Sequence, residues 1–444
     1  MSSTYKHART SADAATAQLM KSRWGIAVAG VAIQVMLGTV YAWSIFKKPI
    51  MNVHGWPEFQ VGITFALTIF FLGLSAAIGG RLVDRAGSRT IATIAGVLFG
   101  CGTLLAGVAH QFGCIALLWL GYGVIAGIGN GLGYVTPVAV LVRWFPDRKG
   151  LITGLAVMGF GLGAAFMSLI GERMIHVFGN NVGVYGTFYA CGVAFLIGLP
   201  LAARWLVNPP ESFAPPVSSK MTARQSAGSQ TLGSAVRMPQ LYILWAILFL
   251  NVAAGIALLS NLAPMALAKQ SIARDTGVAS LIVILGSFCN GFGRLFWGGL
   301  SERLGRRNVF LLIFLTQIPL FLLLPHLQSF LLFTLAACYI MLCYGGGFGT
   351  MPSFTAATFG PKNIGAIYGV VLFAWGLAGG FGPMLMEWVK KSTQRYDVAL
   401  YIAAGILAVG LLVTLFYRKP EAVIADQGPS AMHAGQGDNS PPEA

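Results

Sequence analysis

Residues 80–89 read Gly80-Arg-Leu-Val-Asp84-Arg85-Ala-Gly87-Ser-Arg89, and residues 298–307 read Gly298-Gly-Leu-Ser-Glu302-Arg303-Leu-Gly305-Arg-Arg307. Both stretches fit the pattern G-x-x-x-[DE]-R-x-G-x-R, and 218 positions separate them. The same offset carries a glycine-rich stretch, Gly127, Gly129 and Gly131, onto Gly345, Gly347 and Gly349. An offset of 215 carries Gly150, Gly154 and Gly161 onto Gly365, Gly369 and Gly376. The two halves of the chain are therefore repeats of one structural unit.

Apolar segments of about 20 residues flank each motif, and a helix of that length crosses a bilayer. Hydrophobic residues make up 56% of the 444 residues and charged residues only 10%, against about 25% in soluble domains. A soluble fold has no way to hide so much apolar surface, so the solvent must be lipid. We predict an all-α polytopic membrane protein with twelve transmembrane helices in two six-helix bundles, at residues 24–46, 60–81, 89–109, 114–143, 149–175, 183–206, 239–262, 276–300, 308–326, 329–357, 363–389 and 396–417.

Polar segments divide this membrane region. We predict a tail at 1–23, a bundle at 24–206, a linker at 207–238, a second bundle at 239–417 and a tail at 418–444. An even number of spans puts both tails and the linker on one side. That side holds 20 of the 29 Lys and Arg residues, and the opposite side holds eight. The asymmetry places the linker and both termini in the cytoplasm, with no cleavable signal peptide evident.

Several function classes are excluded by the same residues. The basic residues form short clusters between apolar segments, which sets membrane topology and does not indicate nucleic-acid binding. The six cysteines lie in or beside apolar segments without a CxxC pair, so we expect packing roles, no metal and no cofactor. Glycine strings such as Gly127-x-Gly129-x-Gly131 lie inside spans, and no Gly-Lys-Ser/Thr follows to make a nucleotide loop.

The paired loops in a 6+6 arrangement resemble the signature loop of the major facilitator superfamily. The resemblance covers the whole membrane region and implies two bundles that rock around a central site. It also implies a gating role for Asp84, Arg85 and Arg89, and for Glu302 and Arg303 in the second copy. Asp84 would cap a neighbouring helix and pair with basic groups, holding the cytoplasmic side closed. The alternative is a basic loop that only sets topology.

Arg294 is the basic residue that lies inside a predicted span, and none of the fourteen acidic residues lies at mid-span. An unpaired guanidinium costs at least about 2.5 kcal/mol at a helix centre. Guanidinium binds carboxylate through a two-pronged contact, so we predict that Arg294 binds a small organic anion. Asn290 lies one turn earlier on the same face and would orient Arg294 or contact substrate. The alternatives are a structural Arg294 bonded to backbone carbonyls and an Asn290 that joins helices.

Aromatic residues near the glycine-rich helices complete the predicted site. Tyr134 and Tyr344 lie close to mid-span, where their hydroxyl groups are available to donate to a carboxylate. Tyr41 in the first helix and Trp375 in the eleventh are further cavity residues. The alternative for each is packing or anchoring at the membrane interface.

Four further stretches are similar to the oxalate:formate antiporter family of this superfamily. They are Gly38-Thr-Val-Tyr41-Ala-Trp43-Ser44-Ile-Phe46, Trp144-Phe-Pro146-Asp147-Arg148-Lys149-Gly150, Phe249-Leu-Asn251-Val-Ala-Ala-Gly255 with Pro264-Met-Ala, and Asn290-Gly-Phe-Gly-Arg294. The family resemblance implies a central anion site that contains Arg294 and is walled by aromatic residues. The family's oxalate carrier has a lysine in helix eleven, whereas residues 363–389 contain no Lys or Arg. One cation suits a monoanion, which favours lactate, pyruvate or formate over oxalate.

These features predict a secondary transporter, and not an enzyme, in the inner membrane of a prokaryote. Similarity to monocarboxylate (lactate) carriers implies coupling to protons, although Asn290 stands where animal carriers have an aspartate. The alternatives are an oxalate/formate exchanger, a carrier of neutral or cationic solutes, and a membrane receptor or enzyme. The family resemblance implies a monomer whose partners are a carboxylate anion, protons and lipid.

Overall fold

The computed structural model describes residues 23–179, 182–210, 229–269, 271–273 and 276–420. Both predicted tails, apart from Arg23 and residues 418–420, and linker residues 211–228 lie outside that part. The described residues contain twelve helices long and apolar enough to cross a membrane and no strand, which confirms the predicted fold class. The helices are α1 (Arg23–Ala42), α2 (Glu58–Ala86), α3 (Ser88–Gln111), α4 (Ile115–Trp144), α5 (Lys149–Phe178), α6 (Gly183–Ala203), α7 (Pro239–Leu267), α8 (Thr276–Leu304), α9 (Arg306–Leu323), α10 (Phe330–Phe359), α11 (Ile364–Thr393) and α12 (Tyr396–Leu415).

Many helices continue beyond the apolar segments that predict them. The seventh reaches Leu267 where the apolar segment stops at 262, and the eleventh reaches Thr393 where it stops at 389. An apolar segment marks the hydrocarbon core, whereas backbone N–H and C=O groups need partners beyond it too. The first predicted span differs more. It tightens into a 3₁₀ turn at Thr39–Ala42 and continues as a further helix over Ser44–His54.

The glycines of the motif loops and of the repeat with an offset of 215 lie where the two halves of the chain meet. Helix α2 packs on α11, and α5 packs on α8. A Cβ added to Gly80 would lie 1.8 Å from the carbonyl oxygen of Gly365. A Cβ added to Gly150 would lie 2.3 Å from the carbonyl oxygen of Gly298. Side chains larger than hydrogen do not fit between these backbones, so the repeated glycines allow the two bundles to touch.

The helices end on two opposite sides of the molecule. The terminal side is the one on which α1 begins and α12 ends, and the far side is opposite. The motif loops after α2 and α8 lie on the terminal side. Large apolar side chains such as Phe292, Leu331 and Trp388 are exposed on the outer helix faces, as expected of an integral membrane protein.

Candidate functional site

Arg294 lies in α8 and is 0% exposed. Its Nη1 donates to the carbonyl oxygen of Val157 in α5 at 3.0 Å, and its Nε lies 3.5 Å from Oδ1 of Asn290. Its Nη2 has no hydrogen-bond partner among the described residues. The predicted alternative, bonding to backbone, therefore accounts for one N–H group of the guanidinium and leaves a second donor group unused.

Aromatic side chains from both bundles surround Arg294. The guanidinium carbon lies 5.4 Å from the ring centre of Phe160 and 4.8 Å from that of Phe348. The Trp375 ring lies 5.4 Å from Phe160, 4.9 Å from Phe348 and 5.1 Å from Tyr134. We call this group the aromatic cage; it consists of Tyr41, Tyr134, Phe160, Tyr344, Phe348 and Trp375.

The cage contains buried donors without acceptors. Besides Arg294 Nη2, Trp375 Nε1 has no hydrogen-bond partner among the described residues, and the hydroxyl groups of Tyr134 and the adjacent Tyr368 lie within reach of each other beside Arg294. Each of the four residues is at most 1% exposed. A buried donor left unsatisfied costs about 1–3 kcal/mol, and more when it is charged. One cation with several hydrogen-bond donors is the chemistry that binds a carboxylate.

Hydroxyl groups concentrate around the guanidinium. Those of Tyr41, Tyr134, Tyr344 and Tyr368 all lie within electrostatic range of Arg294. Tyr41 Oη and Tyr344 Oη are 3.1 Å apart and join α1 to α10. Tyr344 is fully buried and Tyr41 is half-buried, so this bond closes one wall of the cage between the two bundles.

Amides of the first helix of each bundle hold the turns that carry the two tyrosines. Gln34 Nε2 donates to the carbonyl oxygen of Tyr134 at 2.9 Å. In the second bundle, Asn251 Nδ2 donates to the carbonyl oxygen of Tyr344 at 3.4 Å. Gln317 Nε2 lies 3.3 Å from Asn251 Oδ1 and fixes that amide in turn. These bonds tie α4 to α1 and α10 to α7.

The predicted binding residues therefore lie together. Tyr134, Tyr344, Tyr41 and Trp375 pack against one another around Arg294, and Asn290 contacts the Arg294 side chain. Sequence reasoning missed Phe160, Phe348 and Tyr368. A signal existed for the two phenylalanines, because each stands between glycines, in Gly159-Phe160-Gly161 and Gly347-Phe348-Gly349. Tyr368 follows no comparable pattern.

Carboxylates of the two motif loops bond to backbone N–H groups across the bundle interface. Asp84 Oδ2 accepts from the backbone N–H of Ala366, in the first turn of α11, at 3.2 Å. Glu302 Oε1 accepts from the backbone N–H of Leu151, in the first turn of α5, at 3.0 Å. The two N–H groups are 215 positions apart, the offset that relates the glycine repeats. The two contacts are thus the same feature in each repeat, and both lie on the terminal side.

Arg143 completes the contact at Asp84, and sequence reasoning did not assign it there. It forms an ion pair with Asp84 and donates to the carbonyl oxygen of Lys362 at 3.1 Å and to Asn208 at 3.1 Å. Three residues predicted to gate, Arg85, Arg89 and Arg303, are exposed and form no ion pair among the described residues. The described part of the chain therefore joins the bundles through the acidic residues of the motifs.

The chain matches a known family model and several known transporters. The family model for the Major Facilitator Superfamily matches residues 28–271 and 250–434. The MFS-type transporter YhjX of Escherichia coli (strain K12) is 30% identical, over 80% of this chain and 86% of that protein. The oxalate:formate antiporter of Oxalobacter formigenes is 26% identical, over 82% of this chain and 84% of its own. Monocarboxylate transporter 14 of Mus musculus is 24% identical, over 82% and 85%.

One solved structure illustrates the fold. It is the crystal structure of FucP, a Major Facilitator Superfamily transporter in the outward conformation, with a TM-score of 0.67. The match has 17% sequence identity and covers 89% of this chain and 100% of FucP. It supports the arrangement of the helices.

Proposed function

Because the chain belongs to the Major Facilitator Superfamily, we propose that it is a secondary transporter of small monocarboxylate anions. The observation that carries the proposal is the fully buried guanidinium of Arg294, whose Nη2 lacks a partner inside the aromatic cage. An uncompensated cation in a site of low dielectric is costly, and a bound anion removes that cost. Two relatives named for oxalate, formate and monocarboxylates support a carboxylate as the substrate.

The charge of the site supports a monoanion. Arg294 is the charged side chain of the cage, and residues 363–389 of α11 supply no second cation. A dianion such as oxalate would bring one unmatched negative charge into the site. L-lactate, pyruvate and formate each carry a single carboxylate and fit this balance. Oxalate/formate exchange is the second candidate, favoured by the Oxalobacter formigenes relative.

Alternating access follows from the position of the site between the bundles. The Asp84–Ala366 and Glu302–Leu151 contacts hold the terminal side closed, while Tyr41 and Tyr344 meet across the cage. The asymmetry of basic residues supports placing the terminal side in the cytoplasm, and the Escherichia coli relative supports the inner membrane of a prokaryote. We propose that the bundles at 24–206 and 239–417 are the moving units and that the protein functions as a monomer.

Proton coupling is part of the proposal, and it needs no carboxylate in the protein. The residue beside Arg294 is Asn290, whose amide does not carry a proton as a carboxylate does. A proton would therefore cross together with the anion, which is equivalent to transport of the neutral acid. An inward proton gradient would then drive the anion inward.

The test is uptake of labelled L-lactate into proteoliposomes, with and without an inward proton gradient. We expect uptake driven by the gradient that Arg294→Ala abolishes and Arg173→Ala preserves, since Arg173 is exposed in α5 on the far side. Equal uptake by the Arg294→Ala variant contradicts the proposed site. Uptake that ignores the gradient but rises with internal oxalate or formate contradicts symport and supports the exchanger.

A further inference from the structure

The indole N–H of Trp375 is a donor that the contacts within the cage do not use. Trp375 lies in α11, is 0% exposed, and its Nε1 has no acceptor among the described residues. Its ring contacts Phe160 and Phe348, the two rings that flank the guanidinium of Arg294. An indole N–H only donates, so it cannot be satisfied by reorienting a neighbouring donor. A buried donor of this kind next to a binding site is available to an acceptor on the ligand, which would remove the cost of leaving it unpaired.

The other unused donors suffice for a carboxylate. The hydroxyls of Tyr134 and Tyr368 neighbour each other, so one can donate to the other, and the second hydroxyl together with Arg294 Nη2 leaves two donors for the two carboxylate oxygens. Tyrosine hydroxyls can donate or accept, so either is able to adapt to its neighbour. Trp375 then remains as the donor for an acceptor outside the carboxylate group.

That acceptor must lie close to the carboxylate. The Trp375 ring centre is 5.1 Å from Tyr134 and 4.9 Å from Phe348, so the cage holds the indole against the rings that border Arg294. A second carboxylate would supply acceptors but would add a negative charge that the site does not balance. A neutral oxygen on the α-carbon supplies the acceptor without the charge.

Resting on the proposed function, we infer that the substrate is a 2-oxo or 2-hydroxy monocarboxylate, whose α-oxygen accepts a hydrogen bond from Trp375 Nε1. A keto oxygen accepts this bond directly. A hydroxyl oxygen also accepts it and is able to donate its own proton to a tyrosine oxygen of the cage. Trp375 thus determines specificity, while Arg294 provides the charge that any monocarboxylate needs.

The experiment compares pyruvate, L-lactate and propionate, three acids with three carbons of which propionate lacks an α-oxygen. Their uptake is measured in proteoliposomes as the half-saturating concentration. The wild-type protein is expected to favour pyruvate and L-lactate over propionate by about tenfold or more, because a site with a buried donor rejects an analogue that leaves it unpaired. Trp375→Phe should reduce that ratio to within about threefold, and Trp375→His, which keeps a ring N–H, should restore part of it.

Trp297→Phe is the matched control. Its indole N–H is also buried, but it lies beside the Cys343 thiol and packs with Val309 and Ile313, outside the cage. This variant should keep the wild-type ratio. A ratio is independent of how much protein folds, and the wild-type comparison stands even if Trp375→Phe does not fold.

Each outcome separates the inference from the proposed function. Wild-type uptake of propionate equal to that of pyruvate overturns the inference, as does a Trp375→Phe variant that keeps the wild-type ratio. Preference for oxalate over all three acids also overturns it. Failure of the proposed function looks different: uptake of the three acids would then be absent, or would be the same in Arg294→Ala as in the wild type.

Discussion

Gly80→Ala should open the terminal side of the transporter. The added Cβ would lie 1.8 Å from the carbonyl oxygen and 2.4 Å from the carbonyl carbon of Gly365. Both are backbone atoms and cannot rotate away, so α2 and α11 must separate by about 1.6 Å to reach ordinary contact near 3.4 Å. Overpacking of this kind costs about 1–3 kcal/mol. The cost falls on the state in which the two helices touch, so the equilibrium shifts by about 5- to 150-fold toward the state in which they part.

A cysteine at position 153 reports this shift in a protein whose six native cysteines are replaced. Thr153 is fully buried, and its hydroxyl lies 3.2 Å from the carbonyl oxygen of Gly349 across the bundle interface. A membrane-impermeant maleimide applied from the terminal side should react several-fold faster in Gly80→Ala. Gly62→Ala is the control, since it lies in the same helix and its added Cβ meets nothing within 4 Å. Equal labelling of Gly80→Ala and Gly62→Ala would refute the reasoning.

Two further substitutions test single contacts. Asp84→Asn loses the ion pair with Arg143 and weakens the hydrogen bond from the backbone N–H of Ala366. The same maleimide assay should therefore show opening of the terminal side that corresponds to about 1–3 kcal/mol. Labelling at the wild-type rate would mean that the carboxylate does not gate. Tyr344→Phe removes the hydrogen bond to Tyr41, which contributes about 0.5–1.5 kcal/mol, and should raise the half-saturating substrate concentration by up to about tenfold. The control is Tyr339→Phe, because the Tyr339 hydroxyl bonds Thr316 away from the cage, and this variant should leave that concentration unchanged. Equal effects of the two substitutions would contradict the role assigned to Tyr344.

The fold was predictable because lipid imposes a simple rule. Every backbone polar group must be satisfied within its own helix, so apolar length alone locates the spans. The repeated glycines also indicated where the bundles meet. Gly80, Gly150, Gly298 and Gly365 all belong to the repeats, and in the structure Gly80 touches Gly365 and Gly150 touches Gly298. The 3₁₀ turn at Thr39–Ala42 was not predictable, because residues 24–46 are mostly apolar and a single glycine, Gly38, does not distinguish a 3₁₀ turn from a continuous helix.

One residue of the site, Arg294, could be predicted from the sequence for an electrostatic reason. A charge inside a membrane is expensive, and Arg294 therefore stands out without any knowledge of the structure. The glycines on either side of Phe160 and Phe348 were a signal for those two rings, whereas Tyr368 carried none, because aromatic residues are common in apolar helices. A helix that is apolar on all sides has no periodic pattern to reveal which ring faces inward.

Arg143 illustrates a different difficulty. At the end of a span, a basic residue fits the rule that sets membrane topology, and that rule is sufficient to explain its presence. Its ion pair with Asp84 joins residues 59 positions apart, and its bond to Lys362 crosses between bundles over 219 positions. Contacts at such separations depend on the packing of the helices, which the local sequence does not specify.

The most direct test of the central claim is transport by Arg294→Lys. Lysine keeps the positive charge but loses the planar group whose Nη1 donates to Val157 while Nη2 remains for the anion. A hydrogen bond to a charged group contributes about 1.5–3 kcal/mol, so uptake of L-lactate at low concentration should fall by about tenfold or more. Uptake by Arg294→Lys at close to the wild-type rate would contradict the assignment of Arg294 as the residue that binds the carboxylate.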